Sequence, residues 1–149
     1  MAATKNMNRA HFASELTQKP RWRVIDAQGK IVGRLASEIA IALRGKDRAD
    51  FTPHANMNEY IVVINAEKVV FTGDKMTEKV YDWYTGWIGG LKHVTPEELL
   101  KKNPGEIIRK AVVGMLPKNK LSRALERQLK IYAGSQHPHK AQVSTAAAA

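Results

Sequence analysis

The sequence predicts an α/β domain, because strand-like runs alternate with segments of helical periodicity. Residues 60–65 are apolar without alternation and rich in β-branched side chains, which is typical of a strand buried on both faces. Such a strand indicates a parallel or mixed sheet that is covered by helices. One segment carries apolar residues at the i, i+3, i+4 spacing of a single helix face: Val32, Leu35, Ala36, Ile39, Ala40 and Leu43.

Turn residues divide the first half of the chain into short elements. Residues 22–25 form a β-type run, which a turn at 26–29 ends. The helix that begins at Val32 is predicted to stop near Gly45. Further strands are predicted at 68–71 and 79–84, and residues 83–90 form a glycine-rich aromatic loop.

Two proline-containing motifs predict helix starts in the second half. In each, a polar residue (Thr95 or Asn103) is a candidate cap, proline follows, and a carboxylate stands third in the helix. The second of these helices is expected to end at Pro117 and to bury Ile107 or Ile108, Ala111, Val112 and Met115. Another helix is predicted from Leu121, Ala124, Leu125 and Gln128, followed by a strand at 129–132. The tail from Gly134 shows no core pattern, and residues 143–149 are expected to fray.

The basic surplus is concentrated in the last third of the chain. The 149 residues carry a formal net charge of +10. Residues 101–149 hold ten basic and two acidic side chains, whereas residues 51–100 hold four and seven. This distribution favours a polyanionic partner, although a solvated charged face would give the same count.

Several classes of chemistry lack the residues that they need. The chain has no cysteine, which excludes disulfides and thiolate metal sites. Gly45-Lys46 is followed by Asp47, so it is not a Walker A loop, and no nucleophile elbow occurs. The sequence predicts no cofactor, no metal site and no catalytic residues. It also has neither a signal core nor a membrane-spanning run.

The strongest candidate site is basic. Lys120, Arg123 and Arg127 stand at i, i+3 and i+7, which places three cations on one helix face. Such a face suits phosphate oxygens, and a polar amide beside it suits ribose or phosphate. Its flanking candidates are Arg109, Lys110, Lys118 and Asn119. A solvated face remains the alternative.

Aromatic and imidazole groups give weaker signals. Trp83, Tyr84 and Trp87 either stack on unpaired bases or form a small cluster under their loop. His137 and His139 lack a third nearby ligand, so solvent-exposed or RNA-facing imidazoles are favoured over a metal site.

Several stretches, in order and nearly without gaps, resemble ribosomal protein thirteen of the bacterial large subunit. They lie at 22–27, 33–37, 44–47, 52–54, 63–68, 72–73, 113–120 (Val-Gly-Met-Leu-Pro-Lys-Asn-Lys), 129–134 and 137–139. The similarity covers about residues 20–142. Residues 56–59 depart from the Gly-Asp that the family often has before the strand, and Tyr84 stands where a histidine is usual.

The resemblance implies a single three-layer α/β/α domain with a mixed, mostly parallel sheet of about four strands. We expect an N-terminal arm at 1–20, an RNA-binding domain at 21–134 and a tail at 135–149. The implied function is that of a structural, non-enzymatic constituent of the large ribosomal subunit, in the cytoplasm, which binds its RNA and supports assembly. Its partners would be large-subunit ribosomal RNA and neighbouring ribosomal proteins, with no membrane and no small-molecule substrate. Matched positions imply RNA contacts at Arg34, Arg44, Lys46, His54, Lys118, Asn119, Lys120 and Arg123.

Two other functions compete with this one. A small α/β enzyme for a phosphorylated substrate is suggested by the helix that opens after Gly29, but it would need a phosphate loop and an acid–base pair. A module that binds messenger RNA off the ribosome would show the same charge, because phosphate contacts carry no sequence information.

Overall fold

A computed structural model describes residues 18–147, which contain five strands and six α-helices. In chain order they are β1 (Arg21–Asp26), α1 (Val32–Leu43), β2 (Glu59–Ile64), α2 (Lys75–Glu78), β3 (Tyr81–Tyr84), β4 (Leu91–Val94), α3 (Pro96–Lys102), α4 (Pro104–Met115), α5 (Lys120–Gln128), β5 (Leu129–Ile131) and α6 (Lys140–Ala147). The predicted α/β class is confirmed. No helix in this described part is long and apolar enough to cross a bilayer.

The central sheet is parallel and has the order β1-β2-β5. Val24 lies opposite Val62, and Ile61 lies opposite Leu129. Ile61, Val62 and Val63 are fully buried, so the prediction of a strand buried on both faces is confirmed. Helices α1, α4 and α5 supply the apolar side chains that pack with this sheet into one core.

The main sheet has three strands within the described residues, where about four were expected. The predicted strand at 68–71 is wrong, because Asn65 adopts a left-handed conformation (φ 56°) and residues Ala66–Lys68 form a 3₁₀ turn. Within the predicted strand, Val70 alone pairs with another described segment, through a single parallel β-bridge to Ile31. Strands β3 and β4 form a separate antiparallel hairpin, whose tip is the predicted glycine-rich loop.

All six predicted apolar positions of α1 are buried, and α1 ends two residues before Gly45. Gly45 has φ +71°, and a Cβ there would lie 2.7 Å from Cβ of Met57. Glycine is therefore required both for the left-handed turn and for the close approach of the buried Met57.

The two proline helices differ in their caps. Thr95 accepts a bond from the backbone N–H of Glu98, as predicted, but Asn103 makes no side-chain cap at the start of α4. Helix α4 buries Ile107, Ile108 and Val112. The expectation that Met115 is buried is wrong: the residue is 47% exposed, because the inward row continues from Val112 to Leu116 instead.

The C-terminal segment contains a further helix, which was not predicted. Residues Lys140–Ala147 form α6, which packs against β1. The expected fraying from residue 143 stays a prediction. Alanine has the highest helix propensity, and the backbone N–H of Val143 donates to the carbonyl of His139. Most of the predicted arm (1–17) and residues 148–149 lie outside the described residues.

Candidate nucleic-acid interface

The corner between α4 and α5 forms an open cationic groove of about 530 Å³. We call it the corner groove; it is lined by Val113, Leu116, Pro117, Lys118, Asn119, Lys120, Ser122, Arg123 and Glu126. Lys118, Lys120 and Arg123 are exposed. Among the lining residues Glu126 is the single carboxylate. The groove can therefore offer three cationic side chains to an anionic partner.

Local hydrogen bonds hold this corner rigidly. Oδ1 of Asn119 accepts the backbone N–H of Ser122 at 2.9 Å and caps α5. Oγ of Ser122 donates to the carbonyl of Pro117 and lies 3.1 Å from Oδ1 of Asn119. The cap places Lys118 and Lys120 on either side of a fixed residue. Since the amide oxygen of Asn119 is engaged, an RNA contact there would use its NH₂ group, which is a donor.

The opposite side of α5 anchors it to the core. Leu125 and Gln128 are buried, and Nε2 of Gln128 donates to Oδ1 of Asn56 at 3.2 Å. The residues that fix the helix thus lie away from Lys120 and Arg123. This amphipathic pattern leaves the cationic face to solvent.

The structure groups some predicted contacts and separates others. Arg109 and Arg127 line one adjoining pocket, with Lys130 and Tyr132. Arg109 is also paired with Glu106, 3.9 Å apart. Lys110 faces the hairpin instead: its Nζ lies 5.1 Å from the ring of Tyr81 and 5.7 Å from that of Trp83. Arg109 therefore adjoins the predicted face, whereas Lys110 belongs to a different surface.

A second cationic cluster lies at the C-terminal end of α1. Arg44 and Lys46 line a pocket with Ile41, Met115 and Ser37. The guanidinium of Arg44 also lies 5.8 Å from the ring of Phe51. Oγ of Ser37 is 3.5 Å from Sδ of Met115, so this cluster adjoins the end of α4.

The remaining predicted contacts are dispersed. Arg34 is exposed in the first turn of α1, at the opposite end from Arg44. His54 is exposed in the loop before β2. RNA contact at these positions stays a prediction.

His137 and His139 attach the C-terminal segment to the sheet. Nε2 of His139 and the hydroxyl of Tyr132 are 2.9 Å apart. The ring of His139 is tilted over Trp22 at 5.0 Å, and Trp22 stacks on Tyr60 at 4.5 Å. His137 lies against Tyr132 at 6.4 Å, and its buried Nδ1 has no hydrogen-bond partner. These contacts position both imidazoles, and RNA contact at the two residues stays a prediction.

A buried ion network at the start of β2 was not predicted from the sequence. Glu59 is fully buried, with Oε1 3.2 Å from Arg48 and Oε2 3.4 Å from Arg23. Arg48 also pairs with Asp50 at 3.0 Å, and Arg23 pairs with Asp47. Burial raises the pKa of the Glu59 carboxyl, while the two arginines oppose that shift. We call this set of five residues the Glu59 network. The sequence feature that could have indicated it is a glutamate at the first residue of an apolar strand.

The hairpin tip exposes its aromatic side chains. Trp87 is 79% exposed, and Trp83, Tyr84 and Ile88 are also exposed. This exposure argues against a small cluster packed under the loop, which was one of the two predicted arrangements. Among the described residues, no group of three or more potential metal ligands occurs.

The fold and these clusters define a small α/β protein with a cationic surface. The ribosomal protein L13 family model matches residues 20–138. The large ribosomal subunit protein uL13 of Psychromonas ingrahamii is 53% identical over 124 residues, which cover 83% of this chain and 87% of the relative. The chain belongs to the ribosomal protein L13 family.

Proposed function

We propose that this protein is a structural, non-catalytic constituent of the large ribosomal subunit in the cytoplasm, where it binds large-subunit ribosomal RNA and supports subunit assembly. Membership of the family supports the ribosomal role. The observation that carries the RNA-binding part is the corner groove, where a capped helix start holds Lys118, Lys120 and Arg123 at the surface. Neighbouring ribosomal proteins are the proposed further partners.

The groove suits a phosphate backbone. Arg123 can donate two hydrogen bonds to one phosphate, and the lysines act as point charges. Since α5 is fixed through its opposite face, little conformational entropy is lost when RNA binds. Contacts with phosphates do not distinguish one base from another. The groove would therefore select its RNA site by the shape of the RNA backbone.

Charge reversal tests the assignment. We expect Lys120→Glu with Arg123→Glu to weaken binding to deproteinised large-subunit RNA. If two phosphate contacts are lost, the slope of log K against log salt should become shallower by about 1.4–1.8. Filter binding over a salt series measures this slope.

The matched control reverses two lysines on another surface. Lys101→Glu with Lys102→Glu makes the same change in net charge on α3, outside the corner groove. Binding by the groove predicts a much smaller loss in this control. Equal slopes for both double variants would show that only net charge matters and would reject the groove.

Sedimentation tests the ribosomal role separately. In a sucrose gradient of native lysate, we expect the chain to sediment with the large subunit at about one copy per particle and to leave it only at high salt. Recovery at the top of the gradient at low salt would contradict the proposed function and favour the enzyme or messenger-RNA hypotheses.

A further inference from the structure

A second pocket lies on the hairpin side of α4, where Lys110 is found. It is bounded by the start of α1, the segment 70–79, β3 and α4, and its volume is about 330 Å³. We call it the Lys110 pocket. Its lining residues are Ile31, Val32, Gly33, Val70, Phe71, Thr72, Lys75, Lys79, Tyr81, Lys110 and Ala111.

Three ammonium groups share this pocket, and no carboxylate lines it. Nζ of Lys79 and Nζ of Lys110 lie 5.2 and 5.1 Å from the ring of Tyr81. Lys75 lines the same cavity. Within the described residues none of the three forms an ion pair. Cations brought together without a counter-charge repel one another, and a bound anion would relieve that repulsion.

The first turn of α1 adds a further favourable group. Gly33 is the second residue of α1 and lines the pocket. No side chain caps this helix and no acidic residue stands in its first turn. Its positive dipole end is therefore not neutralised from within the helix.

Apart from Thr72, the other side chains of the lining are aliphatic or aromatic. Val32, Val70 and Ala111 provide aliphatic surface beside the ring of Tyr81. The hydroxyl of Tyr81 carries no charge at neutral pH, and burial raises its pKa further. An apolar wall next to cations matches a nucleoside joined to a phosphate, whereas a carboxylate-rich peptide would leave that wall uncovered.

We propose that the Lys110 pocket binds one nucleotide of an RNA chain, with its phosphate among Lys75, Lys79 and Lys110 and its nucleoside against the apolar wall. This site rests on the proposed RNA-binding function but is separate from the corner groove. Lys110 and Arg109, adjacent in sequence, thereby act on two different surfaces.

The test maps backbone amide shifts of the full chain by NMR. The probes are inorganic phosphate, uridine 5′-monophosphate and a short oligouridylate. We expect shifts at Gly33, Tyr81 and Lys110, with affinity rising from phosphate to mononucleotide to oligonucleotide. Shifts confined to 118–123, or no shifts, would overturn the proposal. Equal affinity for phosphate and mononucleotide would overturn the nucleoside contact, and equal affinity for mononucleotide and oligonucleotide would overturn RNA as the source.

We expect Gly33→Glu to block the pocket and to leave the fold intact. A Cβ at Gly33 meets nothing within 4 Å, and a carboxylate at a helix start is favourable. We expect this variant and Lys110→Ala to lose the shifts at Tyr81, while Gln142→Glu on α6, with the same change in charge as Gly33→Glu, keeps them. Retention of the shifts in both pocket variants would reject the site.

The two RNA surfaces can fail independently. For large-subunit RNA, Lys110→Ala should make the salt slope shallower by about 0.7–0.9 in addition to the effect of Lys120→Glu with Arg123→Glu. If only the corner variant changes the slope, the Lys110 pocket is rejected and the proposed function stands. If the parent protein does not bind this RNA at all, the proposed function itself fails.

Discussion

Basic residues occupy two contrasting places in this protein. In the Glu59 network, Arg23 and Arg48 are 25% and 18% exposed in their side chains, and each contacts two carboxylates. In the corner groove, Lys120 and Arg123 are exposed, and neither forms an ion pair with a described residue. The first set is neutralised inside the fold, while the second is available to a partner.

The difference teaches that charge counts alone do not locate a binding surface. Residues 1–50 carry a net charge of +5, yet two of their arginines are engaged with Glu59, Asp47 and Asp50. A cation contributes to a polyanion-binding field only when no nearby carboxylate cancels it. A binding surface is therefore located by cations that are exposed and that form no ion pair.

The largest expected effect on stability comes from a substitution in the Glu59 network. Glu59→Ala should lower the free energy of unfolding by about 3 kcal/mol, because it removes a buried carboxylate and leaves two arginines without it. Urea unfolding measures this loss. Asp47 and Asp50 continue to pair with the arginines, which limits the effect.

Glu59→Gln is the matched control, since it keeps the shape and one acceptor for Arg48. We expect a loss of about 1 kcal/mol. An alanine variant as stable as the glutamine variant would show that the carboxylate contributes nothing to the fold, and the contrast between the two regions would fail.

A slightly smaller effect is expected beside the same network. Gly45→Ala should destabilise the protein by about 2 kcal/mol, because the new Cβ meets Met57 and the residue must keep a positive φ. Gly29→Ala provides the control: its φ is +68°, but a Cβ there meets nothing within 4 Å. Thermal unfolding should show a larger loss for Gly45→Ala, and equal losses would exclude a role for the Met57 contact.

The sequence predicts the elements whose burial follows a simple period. The inward face of α1 and the doubly buried β2 follow from side-chain spacing, and the cap at Thr95 follows from cap chemistry. The cap that Asn119 forms at the start of α5 was not predicted. The turn after β2 was missed, because the left-handed conformation of Asn65 depends on tertiary contacts. Nδ2 of Asn65 donates to Asp26 at 2.8 Å, and its backbone N–H donates to the carbonyl of Gly134.

The candidate site shows the same limit. The periodicity of α5 correctly brings Lys120 and Arg123 to one exposed face. It does not show that Lys110 faces the hairpin, since that depends on where β3 packs relative to α4. Pairings between distant segments, such as Arg23 with Glu59, are equally invisible to local spacing.

Charge reversal in the corner groove should barely alter stability. Lys120→Glu with Arg123→Glu changes exposed side chains that the core does not use, so we expect the free energy of unfolding to change by less than about 0.5 kcal/mol. Urea unfolding without RNA checks this. A loss comparable to that of Glu59→Ala would mean that the groove cations serve the fold, and the distinction between the two regions would collapse.

The smallest expected effect is on the pH dependence of stability, and it concerns Asp26 and Glu59, which lie at opposite ends of the β1–β2 pair. Hydrogen bonds from Asn65 and from the backbone of Gln28 lower the pKa of Asp26 below its ordinary 3.8. Its contribution to stability is therefore present above about pH 3.8 and is lost as the pH falls through the lowered value. Burial raises the pKa of Glu59 above its ordinary 4.5, so protonation favours the folded state as the pH falls towards 4.5.

Asp26→Asn and Glu59→Gln should therefore change the pH dependence of the free energy of unfolding in opposite directions. Relative to Asp26→Asn, the parent should lose stability in acid below about pH 3.8. Relative to Glu59→Gln, the parent should gain stability as the pH falls from neutral towards 4.5. Urea midpoints over this pH range test both signs. If the parent loses stability against both variants, the carboxyl of Glu59 is held in its charged form by Arg23 and Arg48, and the ion pairs outweigh the cost of its burial.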